Sequence, residues 1–407
     1  MNKIVIISSG QPSANPRAIK EALLLTQNNF DVTFIYCPLS PWADEFDKKL
    51  FADNPKVKWI AAGYHPTKNK WEYKFARLRR KGWQIINKFA ENKFESCIKS
   101  VVLFSQELLK EALKHKANLY IGHNLGAIVA TFNAASKHNA KAGFDAEDFH
   151  RGEFKDFDKK QRITEAIENK YFPLMDYCTA ASPLIGEAYK KIFPSQTFTV
   201  INNVFSNKYL KKEKLIIEKK SLDLFWFSQF VGPNRGLETV MSALNTCGDL
   251  NIKLHLLGNI SEIYKTFILR TVKNSMKVLF LPPSSPEQIF TIAQQFDIGL
   301  ASEPSFSDNN DMALSNKIFT YLLSGNCLLL SSTKAQKAFS ETYPNVGILY
   351  QIANVEELSA ALRKLYFDRS LLNEMKANAL KLAKNELNWE NEGQTFMKLI
   401  KIILSCN

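Results

Sequence analysis

Long apolar runs are missing from this sequence. Without an uninterrupted stretch of the ~18 to 20 apolar residues that cross a bilayer, no membrane-spanning helix is expected. The first residues, MNKIVIISSGQPS, contain an apolar segment too short for a secretory signal and no small-residue cleavage pattern. The six cysteines are scattered, which argues against a zinc site or a disulfide framework. These absences together predict a cytoplasmic protein.

Glycine is scarce where nucleotide-binding motifs need it. The loop after the first predicted strand, SSGQPSANPR (8–17), holds one glycine and lacks the G-x-G-x-x-G spacing that lets a dinucleotide pyrophosphate approach the backbone. A nicotinamide or flavin enzyme is therefore not expected. The Walker pattern G-x-x-x-x-G-K-[ST] is also missing, which disfavours ATP as the ligand.

What is present is a regular alternation of short apolar strands and helical patterns. The chain has 407 residues, of which 45% are hydrophobic, and this length favours two domains. Asn15 followed by Pro16 is a strong helix-start signal after the first strand. The alternation predicts an α/β protein with two doubly wound Rossmann-like domains, joined near residues 204–220. The predicted strands are KIVIIS, DVTFIY, ANLYIG, KAGFDA, DYCTAAS and FTVINN, then LDLFWFS, KLHLLG, KVLFLP, DIGLAS, CLLLSS and GILYQ.

The formal charge of +13 is concentrated in part in the segment 68–94, KNKWEYKFARLRRKGWQIINKFAENKF, which also carries large aromatics. Two interpretations are open. The segment is a basic amphipathic surface that rests on anionic lipid headgroups, or it is a solvated helix face whose aromatics pack inward. No RNA- or DNA-binding signature accompanies it, so we expect no nucleic-acid partner.

Two loops of the second predicted domain carry cations suited to phosphate. In SQFVGPNRGLE (228–238), Gly232 and Gly236 permit a tight turn, and Arg235 offers a planar fork of donors where the next helix begins. In LSNKIFTYLLSGN (314–326), Ser315 is a candidate N-cap and Lys317 lies in the first helical turn, where a cation opposes the helix dipole. A bound anion would remove that conflict. The pattern favours a nucleotide-sugar diphosphate.

The same helix has two faces in projection. One face is apolar, and the other is polar. The polar face either meets an anionic ligand or is a solvated surface that happens to carry a lysine. The apolar face holds Ile318, Phe319, Leu322 and Leu323, and the polar face holds Asn316, Lys317, Thr320 and Ser324.

Five ordered segments resemble the retaining glycosyltransferases of family four, which have the two-domain GT-B architecture. They are SSGQPSANPRAIKEA, IGHNLGAIVATFNAA, FDAEDFHRGE, FWFSQFVGPNRGLE and ALSNKIFTYLLSG. The resemblance implies two domains that face each other across a cleft. Residues 1–204 would bind the acceptor, with a helix at 386–407 packing back on them, and residues 205–385 would bind the sugar nucleotide.

The resemblance also implies roles for individual residues. Arg235 and Lys317 would contact the donor diphosphate, and His123 would face the transferred sugar, although a helix-capping role is the alternative for that histidine. The remaining donor-binding residues would be Gly10, Gln229, Gly232, Pro283, Glu303, Ser315, Asn316 and Thr320. The acceptor would meet Gln11, Arg17, Asn124, Asp145, Glu147 and Asp148, the acids of which are alternatively caps for the next helix.

Two positions depart from the family pattern. Many members carry two glutamates eight positions apart, the second of which holds the ribose, and here these positions are Met312 and Thr320. Gln229 stands where a second basic residue is often found. Thr320 hydrogen-bonds a hydroxyl more weakly than a carboxylate does, and Glu303 and Asp311 are nearby acids that could share the task.

The predicted function is that of a retaining, hexosyltransferase-type glycosyltransferase acting on a glycan or lipid-linked acceptor in cell-surface polysaccharide synthesis, at the inner face of the membrane. The resemblance and the lack of a placed carboxylate nucleophile favour front-face displacement without a cofactor or a metal. The DFD triplet (156–158) is interpreted as a solvated helix start rather than a metal motif. The alternatives are a catalytically inactive sugar-nucleotide binder and a sugar-nucleotide epimerase of the same architecture.

Overall fold

The protein is described by a computed structural model that covers residues 1–89, 94–154, 159–210 and 220–405. The chain forms two compact units. The first contains Met1–Ile201 together with Gly393–Asn407, and the second contains Asn202–Glu392. The DFD triplet and most of the predicted linker lie outside the described residues.

The first unit is built on a seven-stranded sheet whose paired strands all run parallel, in the order β3-β2-β1-β4-β5-β6-β7. The strands are β1 Lys3–Ser8, β2 Asp31–Tyr36, β3 Lys58–Ala61, β4 Leu119–His123, β5 Lys141–Ala146, β6 Tyr177–Ala180 and β7 Phe198–Val200. The helices are α1 Pro16–Gln27, α2 Asp44–Asp53, α3 Lys70–Phe89, α4 Phe94–Val101, α5 Ser105–Ala112, α6 Ile128–His138, α7 Lys159–Tyr171 and α8 Pro183–Ile192.

The second unit is built on a six-stranded parallel sheet in the order β10-β9-β8-β11-β12-β13. Its strands are β8 Leu222–Val231, β9 Ile252–Ile260, β10 Val278–Leu281, β11 Ile298–Ala301, β12 Cys327–Ser331 and β13 Gly347–Tyr350. Its helices are α9 Leu237–Thr246, α10 Glu262–Thr271, α11 Pro286–Ala293, α12 Asp308–Met312, α13 Asn316–Ser324, α14 Lys334–Thr342, α15 Val355–Phe367 and α16 Arg369–Asn385. Helix α17, Trp389–Ser405, begins in the second unit and ends in the first.

The predicted parallel sheets are confirmed, and burial explains why the apolar runs identified them. In β1 every residue after Lys3 is buried, and all of β12 is buried, as expected for strands covered on both faces. Strand β3 was not predicted from the apolar pattern. That strand is a half-exposed sheet edge, so it lacks a continuous apolar run.

Local signals at the helix starts are also confirmed. The Asn15 side chain accepts a hydrogen bond from the Ala18 amide at 3.0 Å, with Pro16 at the first helical position of α1. Ser315 caps α13 in the same manner, accepting from the Lys317 amide at 3.4 Å. Among the described helices, none has the length and apolar character needed to span a membrane.

Candidate functional site

The carboxyl ends of β8 and β11 meet at a glycine. Gly236 has a φ of +74°, and a Cβ atom at this position would lie 2.4 Å from the Ser302 carbonyl oxygen. Only glycine fits this approach without strain. Gly236 also precedes the first turn of α9 and offers no capping side chain there. The start of α9 is therefore held against the loop after β11 with uncapped backbone donors, a geometry suited to an anion.

Lys317, the lysine that opposes the dipole of α13, already has an anionic partner. Its Nζ lies 2.6 Å from Glu303 Oε1 and 5.5 Å from the centre of the Trp226 ring. Both side chains of the ion pair are more than four-fifths buried, and Trp226 is fully buried. The carboxylate therefore occupies a position beside the helix start where the sequence predicted a bound anion.

The Glu303 backbone is fixed by the end of the neighbouring strand. Its amide donates to Ser331 Oγ at 2.8 Å, and Ser331 Oγ donates to the Glu303 carbonyl at 2.7 Å. Burial alone would raise the pKa of Glu303, but the charge and hydrogen bonds of Lys317, with a further contribution from Arg235, lower it. The carboxylate is thus ionised and held in place.

Arg235 completes the cationic group of the second unit. Its side chain is exposed, with Nη1 donating to Ser228 Oγ at 3.3 Å. A cleft of about 260 Å³ lies beside it, lined by Asn234, Gly236, Glu238, Ser302, Glu303 and Tyr350, among others. This volume is below the ~300–1,000 Å³ typical of ligand pockets. A cleft of this size has room for only part of a ligand of ordinary size.

Five further predicted donor residues belong to the second unit. Gln229 is exposed, and Gly232 is half-buried just after β8. Gln229 belongs to β8 itself rather than to a loop, because β8 continues past an irregularity to Val231. Pro283 is exposed after β10, while Asn316 is exposed and Ser315 half-buried at the start of α13. The parallel sheet brings these residues to one edge, where ligands of doubly wound domains bind.

Thr320 has a different place from the one predicted. It is 2% exposed, and its hydroxyl donates to the Asn316 carbonyl at 3.1 Å. Ser324 is also buried, and its hydroxyl donates to the Phe290 carbonyl at 3.4 Å. The predicted polar face of α13 is therefore exposed only in its first turn, because neighbouring elements cover the rest and backbone carbonyls satisfy the hydroxyls. Thr320 is thus a covered position of α13, not an exposed one.

Two acids lie near Met312 and Thr320, the positions that differ from the family pattern. Glu303 is among the residues that line the cleft, and Asp311 is not. Asp311 is 8% exposed, and its carboxylate accepts from the Lys334 amide and pairs with Lys334 Nζ, both at 2.9 Å. It holds the start of α14. Met312 lies half-buried at the end of α12.

In the first unit, three residues predicted at the substrate surface are fully buried and joined in one charge network. Arg17 Nε and Nη2 donate to the two carboxylate oxygens of Asp145 at 2.6 and 2.8 Å. His123 Nε2 lies 2.9 Å from Glu21 Oε2, and His123 Nδ1 lies 3.3 Å from Asp145 Oδ2. Thr179 Oγ1 donates to Asp145 Oδ1 at 2.5 Å.

Charge balance explains why these groups are tolerated in the interior. Burial alone would lower the pKa of His123, but the carboxylates of Glu21 and Asp145 raise it to about 10. Arg17 and His123 outweigh burial at Asp145 and hold its pKa far below the usual range. Two cations thus balance two anions. Arg17, His123 and Asp145 therefore lie fully buried in the first unit and not at its surface.

Gln11 is likewise enclosed, while its neighbours remain accessible. Gln11 Nε2 donates to Asp47 Oδ2 at 2.9 Å, and its Oε1 accepts from the Ser40 amide, so it joins two loops. Gly10 and Asn124 are half-buried. Asn124 has a φ of +64° and accepts from Ser8 Oγ at 3.2 Å.

Two half-buried groups stand directly beside the buried network. Burial lowers the pKa of Lys20 to about 7, assisted by Arg17. Burial raises the pKa of Glu147 to about 7, assisted by Asp145 and Asp148. With Asp148, which is also half-buried, Glu147 follows the carboxyl end of β5. Glu147, Asp148 and Asn124 are thus the predicted acceptor residues that keep some exposure.

Within the described residues, two groups have metal-ligand spacing. Glu21, His123 and Asp145 form the first, but the guanidinium of Arg17 already contacts both oxygens of Asp145, so an added cation does not fit the charge balance. Asp148, His150 and Glu153 form the second, in which His150 Nδ1 lies 2.7 Å from Glu153 Oε1.

Sequence reasoning missed several residues that shape the donor cleft. Trp226 beneath Lys317, Ser331 behind Glu303, and Tyr350 and Glu238 in the lining were not singled out. Ser331 and Tyr350 are the last residues of β12 and β13. Their position at carboxyl strand ends was the available signal.

Solved structures share this fold at low sequence identity. Sucrose-phosphate synthase from Thermosynechococcus elongatus aligns over 100% of both chains at 12% identity, with a TM-score of 0.74. HepE from Anabaena, in complex with UDP, aligns over 98% of this chain and 100% of its own at 13% identity, with a TM-score of 0.71. A glycosyltransferase from Rickettsia africae aligns over 100% and 99% at 12% identity, with a TM-score of 0.69.

No protein-family model matches the chain, and none of the curated proteins matches it by sequence. The structural matches show that the fold is that of the GT-B glycosyltransferases, with two parallel sheets of seven and six strands.

Proposed function

We propose that the protein is a glycosyltransferase that moves a hexosyl group from a nucleoside-diphosphate sugar, bound by the second unit, to an acceptor bound by the first. The observation that carries the proposal is the cluster of Arg235, Lys317 and two helix starts at the carboxyl edge of the second sheet. Its charge and backbone donors suit a diphosphate. In support, structures of HepE, which shares the fold, hold UDP and UDP-glucose.

Glu303 explains how this site remains stable without a donor. A lysine side chain that is more than four-fifths buried is unfavourable without a counter-ion, and Glu303 supplies that counter-ion. We infer that the donor diphosphate takes over the contact with Lys317, so that the carboxylate is released toward the cleft and becomes available to a hydroxyl of the nucleotide sugar. This gives Glu303 part of the role that a carboxylate at position 320 would have.

The chemistry that we propose is retaining front-face displacement without a resident metal. As the bond to the sugar breaks, negative charge grows on the leaving diphosphate. Lys317, Arg235 and the start of α13 would stabilise that charge, and preorganised donors of this kind are worth ~3 to 4 kcal/mol each in lowering the barrier. The leaving diphosphate would accept the acceptor proton. The buried network of Arg17, His123 and Asp145 would position the surrounding backbone instead of touching the sugar.

For the acceptor, we propose a glycan or a lipid-linked sugar used in cell-surface polysaccharide synthesis, bound near Asn124, Glu147 and Asp148. These polar residues lie at the carboxyl ends of β4 and β5 and keep partial exposure. Hydroxyl-rich acceptors suit such carboxylates and amides. The enzyme would work in the cytoplasm, at the inner face of the membrane.

A thermal-shift panel of nucleotide sugars tests the donor proposal, since the correct donor should raise the melting temperature more than the matched nucleoside monophosphate. Transfer to an acceptor would then be followed by product analysis. Binding without turnover or hydrolysis would favour an inactive sugar-nucleotide binder. This is the second candidate because position 320 on α13 holds an uncharged threonine. A changed sugar with no acceptor present would favour an epimerase.

A further inference from the structure

Helix α3 turns an apolar side to water, and its inner side mixes polar, small and aromatic residues. Ala76 is fully buried on the inner side, where Arg79 Nη2 donates to both oxygens of Glu107 at 2.8 Å. Gln84 Nε2 donates to the Ser100 carbonyl at 3.1 Å, and Lys99 Nζ lies 4.7 Å from the centre of the Trp83 ring. Tyr73 also packs inward, with its ring centre 6.1 Å from that of Phe104. The inner side is thus mixed, whereas an ordinary surface helix buries its whole apolar stripe.

The outer side of α3 is an exposed apolar stripe. Its members are Trp71, Phe75, Leu78, Ile85 and Ile86, with exposed fractions of 79%, 67%, 65%, 56% and 46%. At 100° per residue they fall within an arc of roughly 100°. Trp71 and Phe75 therefore do not pack inward, although Tyr73 and Trp83 are half-buried on the inner side. A contiguous stripe of this kind marks an interaction surface rather than isolated exposed residues.

One flank of the stripe is cationic. Lys70, Lys74, Arg77 and Lys81 are exposed and project to the same side of the apolar arc. Arg79 faces the protein, where it pairs with Glu107, and Glu72 is exposed on the other flank. A row of cations beside Trp, Phe and Leu complements an anionic bilayer, whose headgroups take the charges while its acyl boundary takes the rings.

We propose that α3 lies in the plane of an anionic lipid bilayer, with Trp71, Phe75 and Leu78 inserted at the headgroup boundary and the lysines on the phosphates. The proposal rests on the membrane location proposed above. It differs in the binding mode, since insertion of apolar side chains supplies the main attraction and the charges assist it. It fits a helix of 20 residues, about 30 Å long, which lies along the surface and does not cross it.

Flotation of the full-length protein with vesicles tests this. We expect binding to phosphatidylglycerol vesicles, weak binding to phosphatidylcholine vesicles, and a residual fraction that survives about 0.5 M salt, where surface charges are screened. The variant Trp71→Ser/Phe75→Ser/Leu78→Ser should lose binding by about tenfold or more at both salt concentrations. The variant Lys74→Gln/Arg77→Gln/Lys81→Gln should lose it mainly at low salt.

The matched control is a second exposed apolar pair on another helix. Ile263 and Phe267 of α10 are 85% and 46% exposed, and Ile263→Ser/Phe267→Ser should leave vesicle binding unchanged. Donor binding by thermal shift, measured on the same preparations, should be equal in all variants, which separates this test from that of the donor site. Wild-type protein that ignores anionic vesicles overturns the proposal. The proposal is also overturned if the stripe variant binds vesicles as the wild type does but dissociates a dimer, since a second copy of the chain would then cover the stripe.

Discussion

Lys317 and Glu303 are fourteen positions apart and form an ion pair of 2.6 Å, seated over the ring of Trp226. Glu303 follows the last strand residue of β11 by two positions, and Lys317 is the second residue of α13. The pair therefore links two elements at the carboxyl edge of the sheet. In the ligand-free protein, the Glu303 carboxylate therefore fills the anion position beside the start of α13.

Removal of either cation should weaken donor binding. Lys317→Ala and Arg235→Ala should each lower nucleoside-diphosphate affinity by about tenfold or more and reduce transfer further, since a charge-assisted phosphate contact contributes ~1.5 to 3 kcal/mol. Isothermal titration calorimetry with UDP and other nucleoside diphosphates measures this. Lys265→Ala on α10 is the matched control, since that lysine contacts Glu262 at 3.9 Å and the Phe280 ring at 5.6 Å, not Glu303. Normal affinity in both cation variants would refute the site.

Glu303→Gln should separate two roles of the carboxylate: competition with the diphosphate for Lys317, and contact with a hydroxyl of the sugar nucleotide. Because Lys317 loses its counter-ion, we expect inorganic diphosphate and nucleoside diphosphates to bind several-fold tighter, while the complete sugar nucleotide gains less or loses affinity. The melting temperature of the ligand-free variant should fall. Asp311→Asn is the control, since that acid holds α14 and not Lys317. Equal weakening for all ligands would contradict the exchange of Glu303 for the diphosphate.

The burial of Thr320 predicts that a carboxylate is not tolerated there. Thr320→Glu should lower the free energy of unfolding by about 3 kcal/mol or more, because an ionised group would enter a position that is 2% exposed. Thr320→Val, which keeps the shape and loses one hydrogen bond, should cost about 1 kcal/mol. Urea denaturation measures both. A stable Thr320→Glu variant with tighter donor binding would instead restore a ribose-facing position.

The buried network predicts a pH dependence with a defined sign. The pKa of His123 is about 10 in the folded protein, above its ordinary 6.5. The ion pairs of protonated His123 therefore stabilise fully below about pH 6.5 and lose their effect as the pH rises toward 10. The free-energy gap between the wild type and His123→Gln should shrink by about 2 kcal/mol or more from about pH 6 to pH 10.

Lys20 supplies a comparison of opposite sign in the same unit. Its pKa is lowered to about 7 from 10.5, so its contribution to stability is present above about pH 10.5 and is lost as the pH falls through 7. The wild type should therefore gain stability relative to Lys20→Met as the pH rises from 7 to 10. Parallel pH slopes for the two variants would contradict the assigned network.

The sequence predicted the structure well where a residue type has one dominant structural role. Continuous apolar runs located the buried strands, and Asn15 with Pro16 located the start of α1. It was less informative where the environment decides. Thr320 and Ser324 look like a polar face, yet neighbouring elements cover them and backbone carbonyls accept their hydroxyls. Periodicity likewise identified α3 as amphipathic but not which side faces the protein.

Pairings between distant positions were beyond local patterns. Arg17 and Asp145 are 128 positions apart, and they form an ion pair in which both side chains are fully buried. Their proximity follows from the order of strands in the sheet, which alternation alone does not specify.

The path of α17 has a consequence for how the protein is made. Gly393–Asn407 belongs to the unit that contains Met1–Ile201, and Asn202–Glu392 is inserted between them. On the ribosome, the inserted unit has all of its residues before the first unit has its last helix. The first unit must therefore wait, incomplete, while about 190 further residues are added, which at 5–20 residues per second takes roughly 10 to 40 seconds. During that interval its unfinished surface is open to chaperones, and the inserted unit is free to fold first.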